Sequence, residues 1–522
     1  MVRAKDRPYN YIYEDDFFQF FIEGRQYHYL VKKNLKSIIA MVFPRIVKNL
    51  LAGVSKKIID DAVLATEIAN ILNSNNFLRE KIKPIEDSCG RQIYRDLSIY
   101  ILLKLFNLEK IYPFLHDRLV NEIFIDGYGK RVYIDHAIYG RLDTEVVLDR
   151  KELNQLVLFL KIYGDALFFG ANPSIKIDMV ISDQRLRIGV DMYKQRSTSI
   201  TIRKLSAFPP FFTFLADNKT RILLSILAGI IVFRPNIVIF GETGAGKTTL
   251  ASLLIGMLPK FWRIFIIEDV SEVSDIFVED KKVIKIAVPT FELRASLGGY
   301  GGGLSRKEEE ILKLLHRSPD YCFISEIQDM ADTKALFHAY SAGIRAIATT
   351  HARDISGLLN RWINVYNVAP DWVDLVDILI FLVKDIDRDC INRRLCGIYI
   401  PVKQSIKIEH NTDIVDKVNI DVKGITKSFF VVGVDRLHST NINAIRPLIL
   451  QILQILLGQD LTSVDTDQLM KTIYKIDREL SEIYALTRSR YIMHQNLRIK
   501  IREKIEEIRD ALSMMRTSHR AF

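Results

Sequence analysis

The stretch that most constrains this chain is Gly241-Glu242-Thr243-Gly244-Ala245-Gly246-Lys247-Thr248. An apolar run, Ile237-Val238-Ile239-Phe240, comes immediately before it. A helix-compatible run, Thr249-Leu250-Ala251-Ser252-Leu253-Leu254-Ile255, comes immediately after. Strand, glycine loop and helix in that order make a phosphate cradle. Gly241, Gly244 and Gly246 lack a Cβ, so the loop can curl and aim its N–H groups inward. The following helix adds free N–H groups and the positive end of its dipole. Lys247 is placed to reach β- and γ-phosphates, and the Thr248 hydroxyl to hold Mg2+. The expected cofactors are ATP and Mg2+. The nucleotide would be held by Gly241, Glu242, Thr243, Gly244, Ala245, Gly246, Lys247, Thr248 and Thr249.

At 522 residues the chain has room for about three domains. Its net charge of +10 permits contact with an anionic membrane surface or nucleic acid and demands neither. The four cysteines, Cys89, Cys322, Cys390 and Cys396, form no C-x-x-C pair, so neither a zinc ribbon nor a disulfide framework is indicated. Cys322 sits in an apolar run and reads as a buried thiol. The N-terminus carries charge within its first few residues and no apolar signal core. No uncharged apolar run reaches the ~18 residues of a membrane span. The two longest, Ile222 to Phe233 and Leu448 to Leu457, read as core helices. A cytoplasmic protein is expected.

Taken in order, residues 1–110 form an aromatic-rich, mainly helical N-terminal region, with a small hairpin between Asp15 and Val31. Residues 111–205 read as an α/β domain, with strands at Val120 to Asp126, Arg131 to Ile134, Leu186 to Val190 and Ser199 to Arg203, and a helix from Leu153 to Tyr163. Phe208-Pro209-Pro210-Phe211 marks a linker, residues 206–215. Residues 216–435 alternate helix and strand and end in two antiparallel strands, at Val415 to Val422 and Phe429 to Val432. Gly298 to Gly303 is glycine-dense and reads as a mobile loop rather than a second phosphate site, because no strand leads into it and no lysine follows in register. Residues 436–522 are helical. There Leu497, Ile501, Ile505, Ile508 and Leu512 make one apolar stripe, read as the packed face of a surface helix.

Hydrolysis of a nucleoside triphosphate needs a cradle, a metal, a group to orient water, and cations for transition-state charge. The acids expected at strand ends are Glu326 and Glu268, with Asp269 and Glu272 near the latter. Glu326 is expected on a strand next to the phosphate-loop strand, where it would hold Mg2+ through water or polarise the attacking water. His351 ends a third strand, after Thr349-Thr350, and would sense the γ-phosphate. The expected catalytic set is Glu326, Glu268, Lys247 and His351, with Thr248 and Glu326 on the metal.

The order of these motifs resembles the type II/type IV secretion ATPase superfamily, most closely its archaeal branch, over residues 110–435. Ile267-Glu268-Asp269-Val270-Ser271-Glu272 resembles its acidic box. Pro319 through Ile327 resembles its Walker B stretch, and Thr349-Thr350-His351-Ala352 its histidine box. Asn172-Pro173, Asp183, Arg187 and Ser199 through Lys204 resemble the end of its N-terminal domain, so Arg187 and Arg203 would reach the nucleotide. The resemblance implies an α/β fold with a PAS-like domain and a RecA-like motor domain. It also implies a homohexamer at the inner face of the cell membrane, acting on a polytopic membrane platform protein and, indirectly, on pilin-like subunits. The pattern is broken at Ser325, Gln328, Ser318 and His316, where the family carries glycine or arginine. Arg317 would substitute only if the helix end were rotated.

Two rival readings follow from the same residues. A DNA-translocating ATPase would also be basic, but no strand face interleaves aromatic and basic residues as base-stacking surfaces do, so direct nucleic-acid binding is not favoured. A regulatory paralogue that binds nucleotide with weak turnover is suggested by the missing cations.

Overall fold

The computed structural model describes residues 11–517 except 15–16, 33–34, 37, 41, 45–67, 70–82, 84–91, 118, 137–138, 164–173, 182–183, 193–197, 206–211, 216, 270–271, 274–276, 279–280, 289–305, 387–390, 403–414, 434–445, 447–449, 451, 453–464 and 489–493. The Gly298–Gly303 loop, Asn172-Pro173, Asp183, Cys89 and Cys390 therefore lie outside the described residues, as does most of Leu448 to Leu457. The chain divides into two compact units, the first made mainly of residues 1–209 and the second mainly of residues from 210 onward.

The first unit carries one nine-stranded sheet. Its strands are β1 (Tyr11–Glu14), β2 (Phe18–Glu23), β3 (Gln26–Val31), β4 (Val120–Ile125), β5 (Arg131–His136), β6 (Gly140–Val147), β7 (Ser174–Ile181), β8 (Gln184–Met192) and β9 (Thr198–Lys204), in the order β1-β2-β3-β6-β5-β4-β9-β8-β7. The N-terminal region is thus not simply helical beyond a hairpin. β1 to β3 form a meander that joins the sheet through a short parallel pairing of β3 with β6. Buried aromatic rings explain this: Phe18 packs on Tyr112, Phe20 on Tyr27 and Tyr27 on Phe114, and the Tyr27 hydroxyl donates to the buried Asp117 at 2.6 Å. Helices α1 (Gln92–Leu105) and α2 (Arg150–Tyr163) belong to the same unit. β6 alternates buried and exposed positions along its whole length, as a strand with one covered face must.

The second unit holds the glycine loop. Residues 212–215, the end of the expected linker, form a short helix with Phe214 and Leu215 buried. Helix α3 (Asn218–Ile230) follows, its first turn capped by the Asp217 carboxylate, which accepts from the Thr220 N–H. The strands are β10 (Ile237–Gly241), β11 (Arg263–Glu268), β12 (Lys282–Ala287), β13 (Tyr321–Ile327), β14 (Ala346–His351), β15 (Ile378–Ile386), β16 (Ile391–Pro401), β17 (Val415–Val422) and β18 (Ile425–Gly433). Their order is β12-β11-β13-β14-β10-β15-β16-β18-β17. The first six run parallel, and β16 to β18 extend the sheet antiparallel. Every residue of β10 is buried, and β11, β13 and β14 are nearly so, as a parallel sheet covered on both faces requires. This is a RecA-like α/β sheet.

One sequence expectation is overturned. β13, which carries Glu326, does not neighbour the phosphate-loop strand β10. β14 lies between them. The two threonines of β14 explain the seat. β13 bulges between Ile324 and Ile327, which frees main-chain groups. The Thr349 hydroxyl accepts from the Glu326 N–H at 2.8 Å, and the Thr350 hydroxyl donates to the Ile327 carbonyl at 2.7 Å. A purely apolar strand in that seat would leave the bulge unsatisfied.

The remaining described helices of the unit are α4 (Lys247–Met257), α5 (Arg306–Lys313), α6 (Met330–Ser341), α7 (Ile355–Asn360), α8 (Thr466–Arg488) and, from Arg498 onward, α9 (His494–Thr517). In α9, Ile501, Ile505, Ile508 and Leu512 are fully buried, as the stripe predicts. α8 packs on α3, and the fit is close. A Cβ on Gly229 of α3 would lie 2.7 Å from Ile473 Cγ1 of α8. Helix propensity alone favours Gly229→Ala by about 1 kcal/mol. The contact reverses the sign, and Gly229→Ala is expected to destabilise by about 1–3 kcal/mol in urea unfolding. In an Ile473→Ala background the same change is expected to stabilise.

Candidate nucleotide site

The carboxyl ends of β10, β11, β13 and β14 bring together Gly241, Glu268, Glu326 and His351, which is where open parallel sheets bind ligands. Gly241 and His351 are direct partners across β10 and β14. Gly241 has φ +155°, and a Cβ there would lie 2.2 Å from the Leu382 carbonyl oxygen of β15. Only glycine fits between the two flanking strands. Gly246, with φ +93°, stands at the N-cap of α4, so the helix opens directly out of the loop.

Lys247 is buried. Its amine donates to the carbonyls of Gly241 at 3.1 Å and Glu242 at 2.9 Å, and lies 3.1 Å from His351 Nδ1. The ammonium can only donate, so Nδ1 accepts and the imidazole is neutral in this contact. Burial, then the Lys247 charge, lowers the pKa of His351 and keeps that nitrogen unprotonated. Burial pushes Lys247 itself down to about 8, against the pull of Glu326 and Glu272.

Glu268 is almost wholly buried, and its carboxylate accepts from the N–H groups of Glu272 at 3.0 Å and Val273 at 2.9 Å. Burial outweighs those bonds and pushes its pKa up to about 7. Glu326 sits in the left-handed region at φ +48°, a strained seat for a residue with a side chain. Gln328 donates to its carboxylate at 2.8 Å, so the residue found where the family has arginine supplies a hydrogen bond and no charge. Arg317, which lies between the positions His316 and Ser318 where the family carries arginine, is engaged away from the phosphate loop. It pairs with Glu310 at 2.7 Å and lies over the Phe265 ring. His316 and Ser318 are exposed. Thr248 is half-buried in the first turn of α4. Arg187 and Arg203 belong to the first unit, where they are cross-strand partners on β8 and β9, and Arg203 pairs with Glu122 at 3.3 Å.

Four cations at the site were not anticipated from the sequence. Lys307, in the first turn of α5, donates to both Asp269 oxygens at 3.0 Å and to the Glu326 carbonyl at 2.9 Å. Arg361 starts a π-helical turn, Arg361–Val365, and donates to Thr350 at 2.9 Å, near enough to His351 to depress its pKa. Arg393 of β16 donates to the Gly244 carbonyl at 2.8 Å, and a Cβ on Gly244 would lie 3.4 Å from Lys384 Nζ on β15. Each reads as an ordinary surface charge along the chain. The one local signal is the Arg393-Arg394 pair, which directly precedes the apolar run Leu395 to Ile400.

These residues fit a triphosphate with Mg2+. The loop is shaped by glycines whose Cβ would meet the surrounding chain, a buried ammonium lies within it, and a hydroxyl follows in the first helical turn.

A family model described as "Type II/IV secretion system protein" matches residues 115–506. The chain belongs to that family. An uncharacterized protein of Methanocaldococcus jannaschii is 25% identical over 320 residues, covering 58% of this chain and 54% of the relative. A second from the same organism is 26% identical over 222 residues, covering 41% of this chain and 29% of the relative. The match thus spans about half of the first relative and under a third of the second. The crystal structure of the VirB11 ATPase of the Brucella suis type IV secretion system overlaps with a TM-score of 0.28 at 19% identity, over 59% of this chain and 96% of that one. The Yersinia pseudotuberculosis ATPase DotB overlaps with a TM-score of 0.38 at 14% identity, over 77% and 93%. Membership rests on the sequence match.

Glu268 provides a test of the site's electrostatics. Its folded-state pKa is raised, so the folded chain binds the proton more tightly than the unfolded chain. Folding keeps that support below pH 4.5 and loses it as pH rises through about 7. At roughly 1.4 kcal/mol per unit, the loss is about 3 kcal/mol. Glu268→Gln keeps an acceptor for both N–H groups and removes the ionisation. It is expected to resist urea better than the native chain above pH about 8 and to show no advantage below pH about 4.5.

Proposed function

We propose that this chain is a P-loop ATPase driving a pilus-like filament or secretion apparatus. The observation that carries the reading is the seam between β10 and β14. There Lys247 of the phosphate loop and His351 are held in contact, with Glu326 and Glu268 at the ends of the next two strands. In this reading the loop amides and Lys247 hold the phosphates of ATP, and Thr248 and Glu326 hold Mg2+, the latter through water. Bound Mg2+ would neutralise phosphate charge and orient the γ-phosphoryl group. Glu326 polarises the attacking water. Glu268, poised near neutrality by burial, takes or returns a proton. When phosphates draw Lys247 off its carbonyl acceptors, His351 loses its donor. That is how occupancy of the loop would be passed to β14.

The finer assignments rest on the resemblance. They are the archaeal branch, a PAS-like first domain whose Arg187 and Arg203 reach the nucleotide, and a homohexamer. They also include a platform membrane protein as the partner at the inner face of the membrane, with pilin-like subunits served indirectly. Among the described residues no helix is long and apolar enough to cross a membrane. One observation favours a slower enzyme, the regulatory reading: Gln328 gives Glu326 a neutral partner. Loss of a single transition-state cation costs about 10³–10⁵ in rate in related phosphoryl transfer.

Phosphate release from purified protein decides the matter. Turnover is expected above that of Lys247→Ala and Glu326→Gln, with stimulation by anionic vesicles and none by DNA. Nucleotide binding without hydrolysis above those two controls would leave the regulatory reading in place of the motor. DNA stimulation would move the chain to the translocating class.

A further inference from the structure

We propose that Lys307 is the positioning residue of this site: by binding Asp269 and the Glu326 main chain together, it fixes the turn from which the Glu326 carboxylate reaches the metal and the water. The inference rests on the nucleotide-hydrolysis reading above and adds to it a residue that none of the recognised motifs contains.

The placement of Lys307 is costly. It is the second residue of α5, where the helix dipole disfavours a cation, and it is buried, which lysine rarely is unless paired. Its surroundings offset both costs. An ammonium has three protons, and all three are used, two on Asp269 and one on the Glu326 carbonyl. Nothing is left for another acceptor.

The three contacts tie the ends of adjacent strands. Asp269 directly follows Glu268, the last residue of β11. Glu326 is near the end of β13, and the two strands pair through Ile267 and Ile324. The acceptor on β13 is the carbonyl of the residue with φ +48°. A left-handed, non-glycine turn persists only where its surroundings enforce it. Two bonds enforce it here, from Lys307 to the carbonyl and from the Glu326 N–H to Thr349. The peptide groups on both sides of Glu326 are therefore fixed, and with them the direction in which its side chain leaves the backbone.

Charge gives the second reason. Glu268, Asp269, Glu272 and Glu326 crowd the site, and Gln328 brings no charge. Lys307 neutralises Asp269, so a divalent cation meets Glu326 in a fixed position rather than a competing carboxylate. Lys307 acts through Glu326 and Asp269.

The test uses the full chain with Lys307→Met, Lys307→Arg and Asp269→Asn. Two quantities are read: ATP turnover, and the affinity for a fluorescent ATP analogue with Mg2+ and with chelator. Groups that orient metal-facing residues change metal affinity or activity about 10–100-fold when removed, and Lys307→Met is expected to lose kcat and the Mg2+-dependent gain in affinity by that order, with KM and metal-free affinity within about threefold. Lys307→Arg, which keeps the charge and the donors, is expected to recover most of both. If the native chain binds nucleotide but does not turn over, the ATPase reading fails, and the Mg2+-dependent gain alone decides the role of Lys307. Unchanged kcat and unchanged Mg2+ gain in Lys307→Met would overturn the proposal. So would an equal loss of metal-free affinity, which marks general damage. If Lys307→Met does not fold, Asp269→Asn breaks the same pair with an isosteric side chain and must show the same pattern. A native response in that variant overturns the proposal equally.

Discussion

The site depends on one seam, the parallel pairing that sets Gly241 of β10 opposite His351 of β14. It places the lysine of the phosphate loop against a histidine of a different strand and gives the ammonium three neighbours, the Gly241 and Glu242 carbonyls and Nδ1. The other flank is closed as tightly. Phe240 stacks on its cross-strand partner Phe381 with ring centroids 5.0 Å apart, and Gly241 leaves no room for a Cβ beside Leu382. A shift of one residue in either register would invert which face each side chain meets. The loop therefore has one position relative to β14, and a ligand that moves Lys247 acts on β14 directly.

Electrostatics at the site come in opposed pairs. Burial lowers the pKa of Lys247 and raises that of Glu268, so each is held nearer neutrality than in water. A site built this way binds a highly charged ligand without a fully charged interior of its own when the ligand is absent, and its groups stay close to their proton-transfer range. Asp269 is treated differently. It meets a buried ammonium with both oxygens, which keeps one carboxylate fixed while its sequence neighbour is left able to titrate. Two adjacent acids thus have different environments because one points at the end of α5 and the other at the N–H groups of residues 272 and 273.

Much of this was legible in the sequence, for reasons that differ from part to part. The glycine loop is local, and its chemistry follows from residue types at fixed spacing. β10, β11, β13 and β14 were legible because strands buried on both faces are written as unbroken apolar runs. Their lateral order was not. Nothing in Tyr321 to Ile327 says that β14 will come between that strand and β10, because the information lies in Thr349 and Thr350, two polar residues that only a bulged neighbour can satisfy. Lys307, Arg361 and Arg393 escaped notice because a lone cation near a helix end or in a hairpin reads as a solvated charge. Only the tertiary fold reveals that their acceptors are Asp269, Thr350 and the Gly244 carbonyl. The departures at Gln328 and Ser318 were visible as substitutions, while the contact that Gln328 makes with Glu326 required coordinates.

The C-terminal helices belong to the same mechanical unit as the loop, and the reason lies at the far end of α4. The N-terminus of that helix is the cradle. Its last carbonyls receive cations: Lys281 donates to Ile255, and the buried Arg509 of α9 donates to Gly256 at 2.6 Å and, beyond the helix, to the Phe277 carbonyl at 2.9 Å. Placing two cations together is unfavourable. Burial, with repulsion from Arg509 and Lys260, drives the Lys281 pKa well down. The negative end of the helix dipole offsets that repulsion. Undocking α9 would leave the carbonyl of Gly256 without Arg509 and expose Ile501, Ile505 and Ile508 together. The last turn of the phosphate-loop helix is thus complete only when α9 is docked. A helix that reads in sequence as an amphipathic surface element is, through Arg509, a structural part of the nucleotide site's scaffold.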